Sequence, residues 1–426
     1  MTTARLKAGF AEKDITPAPG TRLAAEFAST VAGGIESPLQ AKALVLSNAE
    51  VTLALVTLDV YGLQSQAASR LQQAISQATA LPTAAIVIVS SHTRGGPYTT
   101  PVVGWADIDA AYLEMLVEQV PAVVSAAAAS LQDASLGVGR VRLPHLVYNH
   151  RLLTRNMKAI SAWMGVPPDE VLEPEGPTDP DFSVIVLRDG RGFPIALVWN
   201  FAADNRFSAG DKVSAGLPFA VQKEVDARMG KHVPLFYLPG CAGNISFHSS
   251  VDAGAVASAV MAATLETTCD PSIRLDCAAV KMILPVRDTS CLWSQPDIEL
   301  KAPQALEAYT REIEILQKEG AQAVPAEVKV FRLGQFALAA LPGMPFVEFA
   351  LAIKEHSPAQ FTFVAANAGE HLGYIATQQA FETGGFETWP ARSALVGPGG
   401  GEFMTEQACL LIEKLWKSRL ASQPDR

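Results

Sequence analysis

The chain has 426 residues, 49% of them hydrophobic and 18% charged, with 33 Lys and Arg against 43 Asp and Glu for a net charge of −10. That is a folding composition, and the acidic balance, with no basic run interleaved with aromatics, excludes nucleic acid as the main partner. The longest apolar stretch, 120–131, falls short of the about 20 residues a spanning helix needs, so no integral membrane segment is expected.

The first strong signal is the near-continuous apolar run at 51–60 (VTLALVTLDV), which predicts a strand buried on both faces. Residues 64–79 show helical spacing, 85–90 (AIVIVS) predict a second buried strand, and 107–131 one or two helices. Strands are predicted at 182–187 and 194–201, joined by the turn at 188–192. Then come a helix at 218–229, a strand at 234–238 and a helix at 253–267. The last third predicts a helix at 304–319, strands at 327–331 and 336–341, a helix at 346–355, a strand at 361–365 and a helix at 405–418. This alternation implies an α/β core. The Pro- and acid-rich stretch 167–180 reads as a long surface loop, and no internal repeat is visible, so residues 1–426 are expected to form a single domain. No apolar region follows the basic residues at the N-terminus, and the five scattered cysteines include no CxxC pair. Both suit a cytoplasmic location.

In α/β proteins the loops after strand C-termini build the site. Ser91-His92-Thr93-Arg94-Gly95-Gly96-Pro97 follows one predicted strand, and His92 and Arg94 share a side of an extended segment. The bland alternative is a capped turn with a solvated Arg. Asp204 follows the strand at 194–201, as a metal ligand or a base. The segment 240–248 (GCAGNISFH) holds Ser246 and His248 two apart, which suggests a nucleophile and base although GxSxG is absent. Its backbone N–H groups at 243–246 can bind an oxyanion, and Cys241 reads as core. Residues 341–345, 370–374 and 384–387 read as Gly-bearing turns. Asp59, ending a buried strand, either caps a loop or supports a ligand. No Walker loop or GxGxxG occupies a strand-to-helix turn, which argues against nucleotide binding.

Together these segments resemble the N-terminal catalytic domain of the neutral/alkaline (non-lysosomal) ceramidases and their shorter bacterial relatives. The similarity runs in register from AGFAEKDITPAPGTRLAAEF, with Asp14-Ile15-Thr16-Pro17, through VTLALVTLDVYGL, SSHTRGGP, YNHR, VWNFAA, GCAGNIS and LPGMP to GYIAT and GGFE. It implies a mixed sheet core flanked by helices, without the C-terminal immunoglobulin-like domain of the large members. The family's members are zinc amidases whose metal is held by two His, a Glu and a Tyr. Residue by residue, the first His is His92, the second His of its turn is Arg94, and the His after the Asn-Phe-Ala strand is Asp204. The turn Glu is Met344 and the ligand Tyr is Tyr374. The family Ser is Ser246, and a second Tyr is Phe386.

The resemblance thus implies a hydrolase that cleaves an amide or ester bond in a small polar or anionic molecule through a rearranged zinc site. Its expected donors are His92, Asp204, Tyr374 and His371, with Glu370 the other candidate to replace the Glu lost at Met344. His92, Ser246, Tyr374 and Asp204 are the expected catalytic residues, and Arg94, Arg151, Asn244 and His248 the expected substrate-binding ones. His150, in YNHR, is a further candidate to line the cleft beside Arg151. The alternatives are a metal-free lyase- or isomerase-type enzyme with His92 and Asp204 as its acid–base pair, and a non-catalytic binding protein. The apolar fraction is compatible with a homo-oligomer.

Overall fold

In the computed structural model, which describes residues 5–24, 30–101, 103, 107–205, 210–288, 303–319 and 323–417, one strand-and-helix plan occurs three times. The first unit comprises β1 (Lys7–Asp14), β2 (Gln40–Ser47), β3 (Thr52–Leu58), α1 (Ser65–Thr79), β4 (Ile86–Ser90) and α2 (Ala110–Ala129). The second comprises β5 (Ser135–Arg142), β6 (Asp181–Arg188), β7 (Pro194–Phe201), α3 (Leu217–Met229), β8 (Leu235–Pro239) and α4 (Ala253–Leu265). The third comprises β9 (Leu275–Leu284), β10 (Val324–Leu333), β11 (Phe336–Ala340), α6 (Val347–His356), β12 (Phe361–Ala365) and α7 (Gly400–Lys417), with α5 (Pro303–Glu319) between its first two strands.

The three sheets have corresponding strand orders, β4-β3-β2-β1, β8-β7-β6-β5 and β12-β11-β10-β9. In each, three strands run antiparallel and the last pairs parallel with its neighbour. A parallel neighbour requires a crossover, and α1, α3 and α6 supply it. The mixed α/β architecture expected from the sequence is therefore present, and a topological repeat stands where the sequence shows none.

Alternation along the strands assigns each sheet two faces. The inner faces meet in one shared core, with Leu44, Leu55 and Val89 from the first sheet, Ile185, Val198 and Phe236 from the second, and Phe331, Leu338 and Phe363 from the third. The outer faces are covered by helix pairs: α1 and α2 through Leu71, Ile75, Leu116 and Val120, α3 and α4 through Val221, Val225 and Val260, and α6 and α7 through Phe349, Ile353 and Leu411. Each such side chain stabilises the fold by about 1.5–3 kcal/mol relative to exposure. Strands β3, β4, β7 and β8, the parallel pairs of the first two sheets, are buried on both faces, which is why they read as unbroken apolar runs.

The stretch at 167–180 is more ordered than a loop. It forms a 3-10 turn (Pro168–Glu170) and a strand (Val171–Pro174) that pairs with Arg151–Thr154. Among the described residues no helix is long and apolar enough to cross a membrane.

Candidate active site

Each parallel pair releases two loops at its C-terminal end: Tyr61 and His92 from the first unit, Asp204 and Ser246 from the second, Met344 and His371 from the third. Hydrogen bonds close a ring among the units here. Ser90 N donates to Asn367 O (3.0 Å), Ala366 N to Pro239 O (2.8 Å) and Asn205 Nδ2 to Ser91 O (3.1 Å).

His92 sits in left-handed backbone (φ 60°) and is 3% exposed. A side chain held in this region marks a position the surroundings over-determine. Its Nδ1 is 3.1 Å from the Tyr61 carbonyl oxygen, which can only accept, so Nδ1 carries the hydrogen and Nε2 the lone pair of the neutral ring. Asn367, also left-handed (φ 54°), donates from Nδ2 to Tyr61 O and Ser90 O, leaving Oδ1 to accept from His371 Nδ1 at 2.8 Å. The Tyr61 ring lies 4.1 Å from His92 and 5.1 Å from His371, and the two imidazoles are 5.5 Å apart. Burial, and then the neighbouring His92, push the His371 pKa well below the ordinary 6.5.

Asp204 joins this cluster from the second unit. Its Oδ1 is 3.9 Å from His92 Nε2 and its Oδ2 is 3.7 Å from Arg94 Nη2. The Arg94 side chain is 23% exposed against 4% for His92 and 8% for Asp204, so it is the member nearest solvent. Tyr374 is half-buried in a two-residue strand that pairs parallel with Met344–Pro345, directly opposite Met344. Its ring meets Phe386 at 5.8 Å, and Phe386 belongs to an aromatic cluster with Trp163, Tyr309 and Trp389.

A second polar chain adjoins that cluster. Ser246 Oγ is 2.8 Å from His150 Nδ1, and His150 Nε2 is 3.0 Å from Glu387 Oε1. Glu387 also accepts from Ser161 Oγ (2.8 Å) and from Arg151 Nη1. Burial would raise the Glu387 pKa, but the Arg151 charge and the His150 hydrogen bond hold it well below the usual carboxylate range.

The remaining expected residues do other work. Arg151 is fully buried, ion-paired to Glu175 and Glu387 and donating to Gly384 O, so its guanidinium is structural rather than a substrate anchor. Asn244 uses both ends of its amide on α6, accepting from Val347 N (2.9 Å) and donating to Glu348 (2.9 Å). His248 is exposed and packs on Tyr148, with ring centroids 4.9 Å apart, so it is not the base for Ser246. Gly243 N donates to Pro345 O and Ile245 N to Ala242 O, which commits two of the amides expected to bind an oxyanion. Asp59 Oδ2 accepts from Gln40 N (2.9 Å), and burial raises its pKa to about 6 against the pull of Lys42. Glu370 turns the other way, accepting from Glu327 N (3.0 Å), so His371 rather than Glu370 reaches the cluster.

Carbonyl oxygens orient the His92 and His371 rings as they do around metals. Yet among the described residues no group of three or more His, Cys, Asp and Glu is placed to hold a metal ion. Asp204 is ion-paired with Arg94, a charge that opposes a cation, and Met344 offers a thioether where the resemblance implies Glu. The donor set expected from His92, Asp204, Tyr374 and His371 does not fit zinc.

No family model and no curated protein sequence matches the chain. Solved structures do: neutral ceramidase from Pseudomonas aeruginosa aligns with a TM-score of 0.71 at 15% identity, covering 97% of this chain and 75% of that one. The fold is that of neutral ceramidase. A structure of ceramidase complexed with C2 agrees, with a TM-score of 0.72 and 16% identity over 97% of this chain and 76% of the other.

Proposed function

We propose that the chain is a hydrolase that cleaves an amide or ester bond in a small polar or anionic molecule. The observation that carries this reading is the unequal setting of two adjacent imidazoles, His92 buried and His371 part-buried. His371 is kept neutral by burial and by its neighbour, whereas His92 has a carboxylate at 3.9 Å to stabilise its charged form. Environments that push two titratable groups apart assign them different roles. His92 exchanges a proton with the bound substrate at Nε2, with Asp204 stabilising the imidazolium. Arg94, nearest solvent, pairs with an anionic group of the substrate. The Tyr374 phenol donates to the acyl oxygen. Sharing a fold with proteins named ceramidase favours hydrolysis over the lyase or isomerase alternative.

The test is a screen of N-acyl amino acids and short acyl esters with the purified chain. Hydrolysis is expected, with kcat falling about 10²–10⁴-fold in His92→Ala, the usual range for a lost acid–base group. In Arg94→Ala the KM should rise for anionic substrates and not for neutral ones. A folded chain that hydrolyses nothing in the series overturns the reading.

A further inference from the structure

Ser246, His150 and Glu387 come from three separate segments and meet in one buried hydrogen-bonded line, at 2.8 Å and 3.0 Å. The direction of each bond follows from charge. The ionised Glu387 carboxylate can only accept, so His150 carries its hydrogen on Nε2 and its lone pair on Nδ1. The Ser246 hydroxyl must then donate to Nδ1, which aims its proton at a base and leaves its oxygen lone pairs for attack. Arg151 is one cation shared by two carboxylates, Glu175 and Glu387, so the imidazolium that forms when Ser246 gives up its proton meets a negative charge at Glu387. The backbone is shaped for this contact. Gly385 has φ 101°, and a Cβ there would stand 2.6 Å from Arg151 Nη1, so a side chain at this position would drive the Arg151–Glu387 pair apart. Phe386, the neighbour of Glu387, brings its ring to within 5.8 Å of the Tyr374 ring.

We propose that Ser246 is the acyl-accepting nucleophile of the hydrolysis, His150 its general base, and Glu387 the carboxylate that orients the base. The proposal rests on the acyl-hydrolase reading and names the groups that carry it out. A nucleophile bonded to a base that a third group orients is the recurring arrangement of covalent acyl transfer, recognised by geometry and not by chain order. Here the serine bonds Nδ1 and the carboxylate Nε2, the reverse of the serine-protease arrangement. As Ser246 Oγ bonds to the acyl carbon, its proton passes to His150 Nδ1. The intermediate collapses by breaking the bond to the amine or alcohol, which leaves with that proton. Water then adds to the acyl-serine, giving its proton to Nδ1, and Ser246 Oγ departs as the acid forms and recovers the proton.

Ser246 is fully buried, so an acyl group reaches it only when the surrounding side chains part, and covalent labelling reads this access directly. The experiment treats the wild-type chain with a fluorophosphonate and maps the adduct by peptide mass spectrometry, beside acyl hydrolysis by the same preparation. One adduct on Ser246 is expected, absent in Ser246→Ala and formed at least tenfold more slowly in His150→Gln and Glu387→Gln. A chain that hydrolyses acyl substrates yet is labelled elsewhere or not at all overturns this proposal and leaves the hydrolase reading standing. A wild-type chain that neither hydrolyses nor labels overturns both.

Discussion

His92 and Asp204 belong to different units of the fold and face each other at 3.9 Å, Nε2 to Oδ1, while His371 stands one ring away with its Nδ1 on an asparagine. The carboxylate therefore distinguishes two otherwise similar imidazoles. Replacing Asp204 with Asn should lower kcat by about 10–10³-fold, within the range for acid–base partners. It should also move the acid limb of kcat/KM to lower pH, because the imidazolium loses its counter-charge. A pH–rate profile with an unmoved acid limb would count against the pairing.

Zinc content follows from the donor set. The Arg94 guanidinium beside Asp204 and the thioether of Met344 both disfavour a divalent cation. Plasma mass spectrometry of the untagged chain should find zinc well below one per chain, and a chelator should leave hydrolysis intact. One zinc per chain, lost in His92→Ala, would reverse this assignment.

Burial raises the Asp59 pKa from 3.8 to about 6. Between those values the folded state holds a proton that the unfolded state has released, so stability falls as pH rises, and above about pH 6 the cost is on the order of 2–3 kcal/mol. His371 acts in the opposite direction. Its folded value lies below 6.5, so it removes stability as pH falls below about 6.5. Asp59→Asn keeps an oxygen for Gln40 N and should stabilise the chain at pH 7.5 by on the order of 1–3 kcal/mol, a gain that vanishes near pH 4. Denaturant melts at the two pH values check the sign.

Arg151→Leu should destabilise the fold by about 3–5 kcal/mol, because Glu175 and Glu387 lose their buried cation. The Glu387 contribution is complete above its ordinary 4.5 and is lost as pH falls toward its lowered value, so the variant should also show a flatter acid limb of stability. A loss below about 1 kcal/mol would mean the pair is solvated.

The strands of the parallel pairs were legible because burial on both faces leaves an apolar run, and β7 and β12 have the bounds their patterns predict. Strands β1, β2, β5 and β9 were not. β5 reads SLGVGRVR, and its glycines look like breakers, but a Cβ at Gly139 would lie 1.7 Å from Ala263 O, so the glycine is what lets α4 lie close on the strand. The meeting of His92, Arg94 and Asp204 was foreseeable from loops at strand ends. The partnership of His150 with Glu387 was not, because 237 residues separate them and no local spacing records it. His248 misled for a local reason: it lies two residues from Ser246, but the strand Ile245–Phe247 ends before it and its ring turns onto Tyr148.

The threefold plan has an evolutionary consequence. Every unit hands two loops to a common vertex, and each unit keeps its own hydrogen-bond ladder and its own helix cover. A substitution in one loop can therefore change the reagents presented at the vertex while the other two corners keep their geometry. Arg94, Asp204 and Met344 each come from a different corner, so any one of them can be replaced without altering the strands that carry the other two.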